Sequence, residues 1–432
     1  VTLRDRLFGL EAFGIKLGLD NMRVLMAALD HPEHACPTVH VAGTNGKGSV
    51  CAMVERALRA AGHRTGLYTS PHLDRLEERV AIDGEPVAPQ ALDAAAERVF
   101  AALDISLADG RLTATPTFFE VTTAMAFDVF RSAGVEAGVI EVGLGGRFDA
   151  TNVITPRATA ITSIAIDHER HLGSTLASIA AEKAGIVKPG VPLVMGALPQ
   201  EARAVVERTA REAGAPLVPA AGALVLESMD GGRAHVRPTL ARWPGLPSLR
   251  VSLLGRHQVE NTATAVRILE VLDAQGLSLT AGAVALGVTD ARWPARLEWL
   301  RLPEGDLLID AAHNPAGAEA LASYLRDAGG PPLPMVMAAM RDKDVERMVR
   351  PLAGVVSRFI ATGVDTPRAC APDALAARIA AALPGALVTA VPDARAAIAE
   401  ALRGRGRAVA AGSIYFVGPM RARLLESGAV PI

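Results

Sequence analysis

A chain of 432 residues is long enough for two or three domains, each with a core of its own. Half of it is apolar and 21% is charged, which excludes a largely disordered protein. Lys and Arg number 44 against 46 Asp and Glu, and a formal net charge of -2 gives no electrostatic case for a nucleic-acid partner. Three scattered cysteines, Cys36, Cys51 and Cys370, form no CxxC pair and indicate neither a disulfide framework nor a thiolate zinc site. They suit a reducing, cytoplasmic setting. The charged N-terminal stretch lacks the apolar core of a signal peptide, and no apolar run reaches the ~18 residues of a membrane span. No membrane contact is expected.

The first elements alternate. Thr38–Ala42 reads as a strand running into Gly43, and Val50, Met53, Val54, Ala57, Leu58 and Ala61 then repeat at helical spacing up to a stop at Gly62. Further strands are expected at 64–69, 135–142, 158–166 and 191–195, with helices between several of them. That order predicts an α/β fold, a mostly parallel sheet of the P-loop type with helices on both faces. Asp230-Gly231-Gly232 reads as a hairpin turn, expected to form an antiparallel edge of this first domain. A helix carrying Ala263, Val266, Leu269 and Leu272 follows. The pattern resets at Arg292-Trp293-Pro294. Strands at 307–310, 335–339, 359–362 and 408–411 and a helix at 316–326 then predict a smaller, Rossmann-like α/β domain. The expected domains are 1–290 and 291–432.

The strongest chemical signal is Gly43-Thr44-Asn45-Gly46-Lys47-Gly48-Ser49, set between a strand and a helix. Glycines let backbone N–H groups and the helix N-terminus face a phosphate, with Lys47 on the outer phosphates and Ser49 on magnesium. The string departs from GxxxxGK[ST], because Gly48 separates Lys47 from Ser49. Glu141 and His168 are expected near the carboxyl ends of strands, where ligands bind in parallel sheets.

This loop resembles the ATP loop of the Mur ligase superfamily, whose members join an amino acid to a carboxylate. The resemblance continues through Thr69–Leu73, Thr117–Glu120, Glu141–Asn152, Asp167-His168, Glu182–Ile186, His257–Asn261 and Asp310–Pro315. Together these strings resemble the folate branch, the folylpolyglutamate and dihydrofolate synthases. The resemblance implies ATP as co-substrate on Asn45, Gly46, Lys47, Gly48, Ser49, Asn261, Arg296 and Asp310, around an interdomain cleft. It also implies two magnesium sites on Ser49, Ser70, Glu141, His168 and a carbamylated Lys183, with room for a monovalent cation. A pterin wall is implied at the early loop Leu17–Asn21 (Gly18, Leu19 and Asp20), at Phe118, Phe119 and Glu120, and at Phe148, Asp149 and Ala150. His313 and Ser413 are implied near the incoming glutamate. Lys47, Lys183, His168 and Arg296 are the catalytic set.

The implied enzyme is a monomer using ATP, L-glutamate, dihydropteroate and reduced folates. An acyl phosphate is its intermediate, and ADP and phosphate are released. Three alternatives stay open at this point: polyglutamylation alone, a peptidoglycan-precursor ligase, and a non-enzymatic nucleotide-binding regulator.

Overall fold

A computed structural model describes residues 2–14, 18–404 and 406–432. Contacts divide the chain into two units. The first is Val1–Val225 with Arg237–Leu249 and Glu260–Ala291; the second is Leu226–Val236 with Arg250–Val259 and Arg292–Ile432. A single boundary at 290/291 therefore leaves out two short excursions of the chain into the second unit.

The first unit is built on eight strands: β1 (Thr38–Ala42), β2 (Thr65–Tyr68), β3 (Val80–Ile82), β4 (Glu85–Pro86), β5 (Ala137–Glu141), β6 (Ala158–Ile161), β7 (Leu193–Met195) and β8 (Leu217–Pro219). Their order is β4-β3-β2-β5-β1-β6-β7-β8. From β2 to β8 all neighbours are parallel, while β3 and β4 add an antiparallel edge. The central strands β1, β5 and β6 are buried at every position, as strands covered on both faces must be. β1 lies between β5 and β6, with Val41 opposite Glu141 on one side and Ala160 on the other. The segments leaving these three carboxyl ends are therefore neighbours.

Helices complete this unit. Lys47–Ala60 follows β1 and buries Val50, Met53, Val54, Ala57 and Leu58. Phe118–Ser132 opens with a capping box, in which the Thr117 hydroxyl accepts from Glu120 N–H and the Glu120 carboxylate accepts from Thr117 N–H. Met22, Leu25, Phe100, Phe127 and Phe130 belong to one core cluster of the unit; Ile161, Ile179, Leu193 and Val206 belong to another.

The expected antiparallel edge at Asp230 is not part of the large sheet. β9 (Leu224–Asp230), β10 (Arg233–Pro238) and β11 (Leu249–Arg250) form a separate sheet ordered β11-β10-β9. The pattern gives the reason: β10 buries only Ala234, Val236 and Pro238, one face of the strand, unlike the doubly covered strands of the large sheet.

The second unit holds β12 (Glu298–Leu302), β13 (Gly305–Asp310), β14 (Leu333–Met337), β15 (Val356–Ala361), β16 (Val388–Ala390), β17 (Arg407–Ala411) and β18 (Val430–Pro431). The order is β16-β15-β14-β17-β13-β12-β18, parallel from β16 to β13, with β12 antiparallel to β13 and β18. Its core is aliphatic and methionine-rich, with Phe359 and Trp299 among the few rings. Both units are α/β. Among the described residues, no helix is long and apolar enough to cross a membrane.

Candidate active site

The glycine loop leaves β1 and is laced to the segment that follows β6. Thr44 N–H donates to the Ser163 carbonyl at 2.8 Å, and the Thr44 hydroxyl bridges the Ala165 backbone. Asn45 N–H reaches the Ser163 hydroxyl at 3.0 Å, while the Thr162 and Ser163 hydroxyls both donate to the Asn45 carbonyl, at 2.7 and 2.9 Å. Two glycines are required by geometry. Gly43 has φ 153° and lies so close to Thr162 that a Cβ would fall 1.9 Å from its Oγ1. Gly46 has φ 85°, and a Cβ there would fall 2.2 Å from Asn261 Oδ1. Only glycine adopts this region without cost. The helix N-terminus at Lys47 thus opens with its N–H groups beside a tightly folded loop.

Two lysines converge on that loop. Lys47 Nζ donates to the Gly43 carbonyl at 3.2 Å and to the Thr44 carbonyl at 3.4 Å. Lys183 Nζ donates to the same Gly43 carbonyl at 3.0 Å, from near the end of the Leu176–Ala184 helix. Lys183 is buried, and burial, reinforced by the like charge of Lys47, lowers its pKa to about 7. Asp167 and Asp149 pull in the opposite direction and so must lie within electrostatic reach.

Glu141, at the carboxyl end of β5, sits 4.0 Å from Lys47 Nζ through Oε1 and accepts Ser70 N–H at 3.1 Å through Oε2. Ser49 is buried in the first turn of the helix. His168 caps the short Glu169–Leu172 helix in a left-handed conformation, φ 51°, with its Nε2 3.9 Å from Asp167 Oδ2 and half its side chain exposed. Lys47, Lys183, Glu141 and Ser70 are thus joined through shared partners around the loop. Asn261 is joined to them through Gly46.

The Gly143–Asn152 loop is packed onto the helix that carries Lys183. Arg147 N–H donates to the Glu182 carbonyl at 2.9 Å, and Asn152 Nδ2 donates to the carbonyls of Arg147 and Gly185, both at 3.0 Å. Gly146 leaves no room for a side chain, since a Cβ would meet the Lys183 carbonyl at 2.8 Å. Two of the quoted strings, Glu141–Asn152 and Glu182–Ile186, therefore serve one piece of architecture.

The expected pterin wall has mixed placements. Leu17 lies outside the described residues. Gly18 and Leu19 are partly exposed, and Asp20 is exposed beside Arg23. Phe118 is buried against Phe8, with the Arg79 guanidinium 5.1 Å from its ring centre. Phe119 covers Gly143, where a Cβ would come within 2.4 Å of the ring. Phe148 is exposed. Ala150 is buried. The Glu120 carboxylate caps its own helix. Asp149 is wholly buried and accepts from Leu144 N–H, Thr151 N–H and the Thr151 hydroxyl. Both carboxylates have local architectural partners.

In the second unit, Asp310 at the end of β13 accepts Leu297 N–H and Ala312 N–H, each at 2.8 Å. Burial raises its pKa, opposed first by the charge of Arg296. Asp310 thereby fixes the turn Ala295-Arg296-Leu297, whose outer two residues have φ 56° and 48°. His313 Nδ1 lies 2.9 Å from the Ala311 carbonyl, and Ser413 is buried at the start of the Ile414–Glu426 helix. Thr44 stands in the loop string without a role of its own, and Thr162 and Ser163 fall within the strand expected at 158–166; that strand ends at Ile161, and their hydroxyls meet the loop instead.

Comparison with known proteins agrees with this geometry. The Mur ligase middle domain matches residues 41–269, and the Mur ligase glutamate ligase domain matches residues 295–413. A Bacillus subtilis dihydrofolate synthase/folylpolyglutamate synthase is 34% identical over 430 residues, covering 98% of each chain. The structure of Escherichia coli FolC in complex with DHPP and ADP superposes with a TM-score of 0.84 at 28% identity, over 99% of this chain and 98% of that one. A bifunctional folylpolyglutamate synthase/dihydrofolate synthase with Mn, AMPPNP and L-glutamate bound superposes at 0.82 and 30% identity, over 98% of both chains. Matches of this length, on a phosphate loop of this construction, establish that the chain belongs to the Mur ligase family, in its dihydrofolate synthase/folylpolyglutamate synthase branch of ATP-dependent glutamate ligases.

Proposed function

We propose that the protein is bifunctional, adding L-glutamate to dihydropteroate and to reduced folates, with the phosphate-loop cluster as its phosphoryl-transfer site. The observation that carries this is the convergence of Lys47 and Lys183 on the Gly43 carbonyl, beside the Glu141 carboxylate. Related structures hold ADP, DHPP, a manganese–nucleotide analogue pair and glutamate.

The substrate carboxylate attacks the γ-phosphorus of ATP, giving an acyl phosphate and ADP. Glutamate's amine then adds to the acyl carbon, and phosphate leaves the tetrahedral intermediate to form the amide. In this reading Lys47 leaves the loop carbonyls for the transferring phosphoryl oxygens, and the loop N–H groups hold the β-phosphate. No side chain acts as a nucleophile. Arg296 adds positive charge, Asn261 and Asp310 serve the nucleotide, and His313 and Ser413 serve glutamate. Phe118, Phe119 and Phe148 offer rings to the pterin.

The donor set around the loop fits magnesium: a buried carboxylate from Glu141, hydroxyls from Ser49 and Ser70, and one imidazole from His168. Lys183 as an amine is no ligand for it, but its carbamate carries two oxygens. Bound there, magnesium supplies charge neutralisation to the phosphates. We place the enzyme in the cytoplasm as a monomer, in keeping with its three free cysteines.

The test is ATP with labelled glutamate and either dihydropteroate or tetrahydrofolate. One ADP and one phosphate are expected per amide formed with each acceptor. AMP and pyrophosphate would exclude the acyl phosphate, and failure with dihydropteroate alone would leave only polyglutamylation.

A second measurement addresses the loop. Gly46→Ala places a methyl against Asn261 and imposes about 1–2 kcal/mol of left-handed strain. ATP binding by equilibrium dialysis is expected to weaken by about 10-fold or more. Unchanged affinity would remove the loop from the nucleotide site.

A further inference from the structure

We infer that His31, Glu33 and His34 form a binding site for one divalent transition ion of the zinc class, sharing no residue with the phosphate-loop cluster. Among the described residues they are the one group of three His, Cys, Asp or Glu whose ligand atoms all lie within 4.8 Å of one another. Glu33 Oε1 is 2.9 Å from His31 Nδ1 and 3.7 Å from His34 Nε2. Ligand atoms around a tetrahedral ion with bonds of ~2.0–2.1 Å stand roughly 3.3 Å apart, so small side-chain rotations complete the site.

The independent observation is Glu33 itself. Its side chain is 4% exposed, and its Oε2 is buried without a hydrogen-bond partner. Burying a carboxylate with one oxygen unsatisfied is costly, and a bound cation offsets that charge. The two imidazoles are more than half exposed, which leaves a route for the ion and room for a water as fourth ligand. Asp30 and His31, at φ 59° and 49°, fold the chain back so that His31 stands over the Pro32–His34 turn. The rings of His31 and His34 lie stacked at 5.4 Å. Arg131 donates to the Leu29 and Asp30 carbonyls just before the cluster and is itself paired with Asp128 at 2.8 Å.

Two imidazole nitrogens and one carboxylate oxygen are a zinc-type donor set and a poor one for magnesium, which favours oxygen octahedra. The ion would clamp the connection between the Asp20–Ala28 helix and β1, upstream of the phosphate loop.

The test uses the full chain, freed of metal by a chelator and titrated with Zn2+ by calorimetry in the absence of nucleotide. Co2+ is used in parallel, because its visible absorption reports a tetrahedral nitrogen and oxygen environment. One ion per chain is expected, undisturbed by excess Mg2+ and retained in Glu141→Gln. His34→Ala, an exposed position whose loss leaves folding and ligase activity intact, is expected to weaken Zn2+ binding at least ~10-fold. Zn2+ should raise the melting temperature of the parent protein and not that of the variant. Equal Zn2+ affinity in the parent and His34→Ala, or no stoichiometric binding below about millimolar metal, would overturn the site.

Discussion

Lys47→Ala is expected to lower kcat/KM for ATP-dependent glutamate ligation by about 10³-fold, roughly 4 kcal/mol of transition-state stabilisation, for either acceptor. The buried partners of this side chain keep other partners when it is removed: Lys183 Nζ still donates to the Gly43 carbonyl, and Ser70 N–H still donates to Glu141. Its Nζ rests on two loop carbonyls, Gly43 and Thr44, and stands 4.0 Å from Glu141. Removing it costs two long hydrogen bonds, of 3.2 and 3.4 Å, so stability should change by only about 1 kcal/mol. Removal of the ammonium is felt where negative charge moves between oxygens, in the transfer itself. Circular dichroism and the melting temperature separate this from unfolding. Lys47→Arg should recover little, because a planar guanidinium presents its donors in a fixed fork and cannot reproduce the compact point charge of an ammonium. Retention of more than about a tenth of the activity in a folded Lys47→Ala protein would move the phosphoryl site elsewhere.

The parts of the fold that were legible were the local ones. β1 followed by glycines and a helix at 3.6-residue spacing is a signal carried within a score of residues. So are the strand–helix alternation that makes the sheet parallel and the reset at Trp293. The partners of the loop were not legible. Ser163 meets Asn45 from 118 positions away and Lys183 meets Gly43 from 140, and nothing in the local pattern marks either pairing. Lys183 was reached through resemblance, and the structure adds the cause: a helix end held by the Gly143–Asn152 loop, with no space for a side chain at Gly146.

Local chemistry also competed with the reading of the site. Thr117 and Glu120 are spaced as a capping box, and their bonds go to each other. Asp149 is followed by Thr151, the spacing of a side chain that caps its own turn, and its carboxylate is buried there. The hairpin at Asp230 was legible as a hairpin, but its sheet was not, because β11 comes from eleven or more residues downstream of β10. β12 escaped notice for another reason: Trp299 and Leu300 are both buried, which breaks the alternation expected of a strand with one wet face.

The last expectation is that Lys183→Ala is nearly inactive, by about 10³-fold, and that a small carboxylate such as acetate restores part of the rate while a small amine does not. The argument begins with protonation. Burial and the charge of Lys47 lower the Lys183 pKa to about 7, so above that pH the amine is largely neutral. A neutral amine can donate its lone pair to the carbon of carbon dioxide. The new N–C bond forms as one N–H proton leaves to solvent, and the side chain then carries a carboxylate in place of a positive charge. The sign follows: carbamate is favoured at about pH 8 with bicarbonate and suppressed at about pH 6, where the ammonium form dominates. The exchange also relieves the repulsion between the two lysines, replacing it with an attraction to Lys47. Carbon-13-labelled bicarbonate should give a carbamate carbonyl resonance in the parent protein that is absent from Lys183→Ala and fades on acidification. Rescue by methylamine rather than acetate, or no such resonance at alkaline pH in an active protein, would show that Lys183 works as the amine seen against the Gly43 carbonyl.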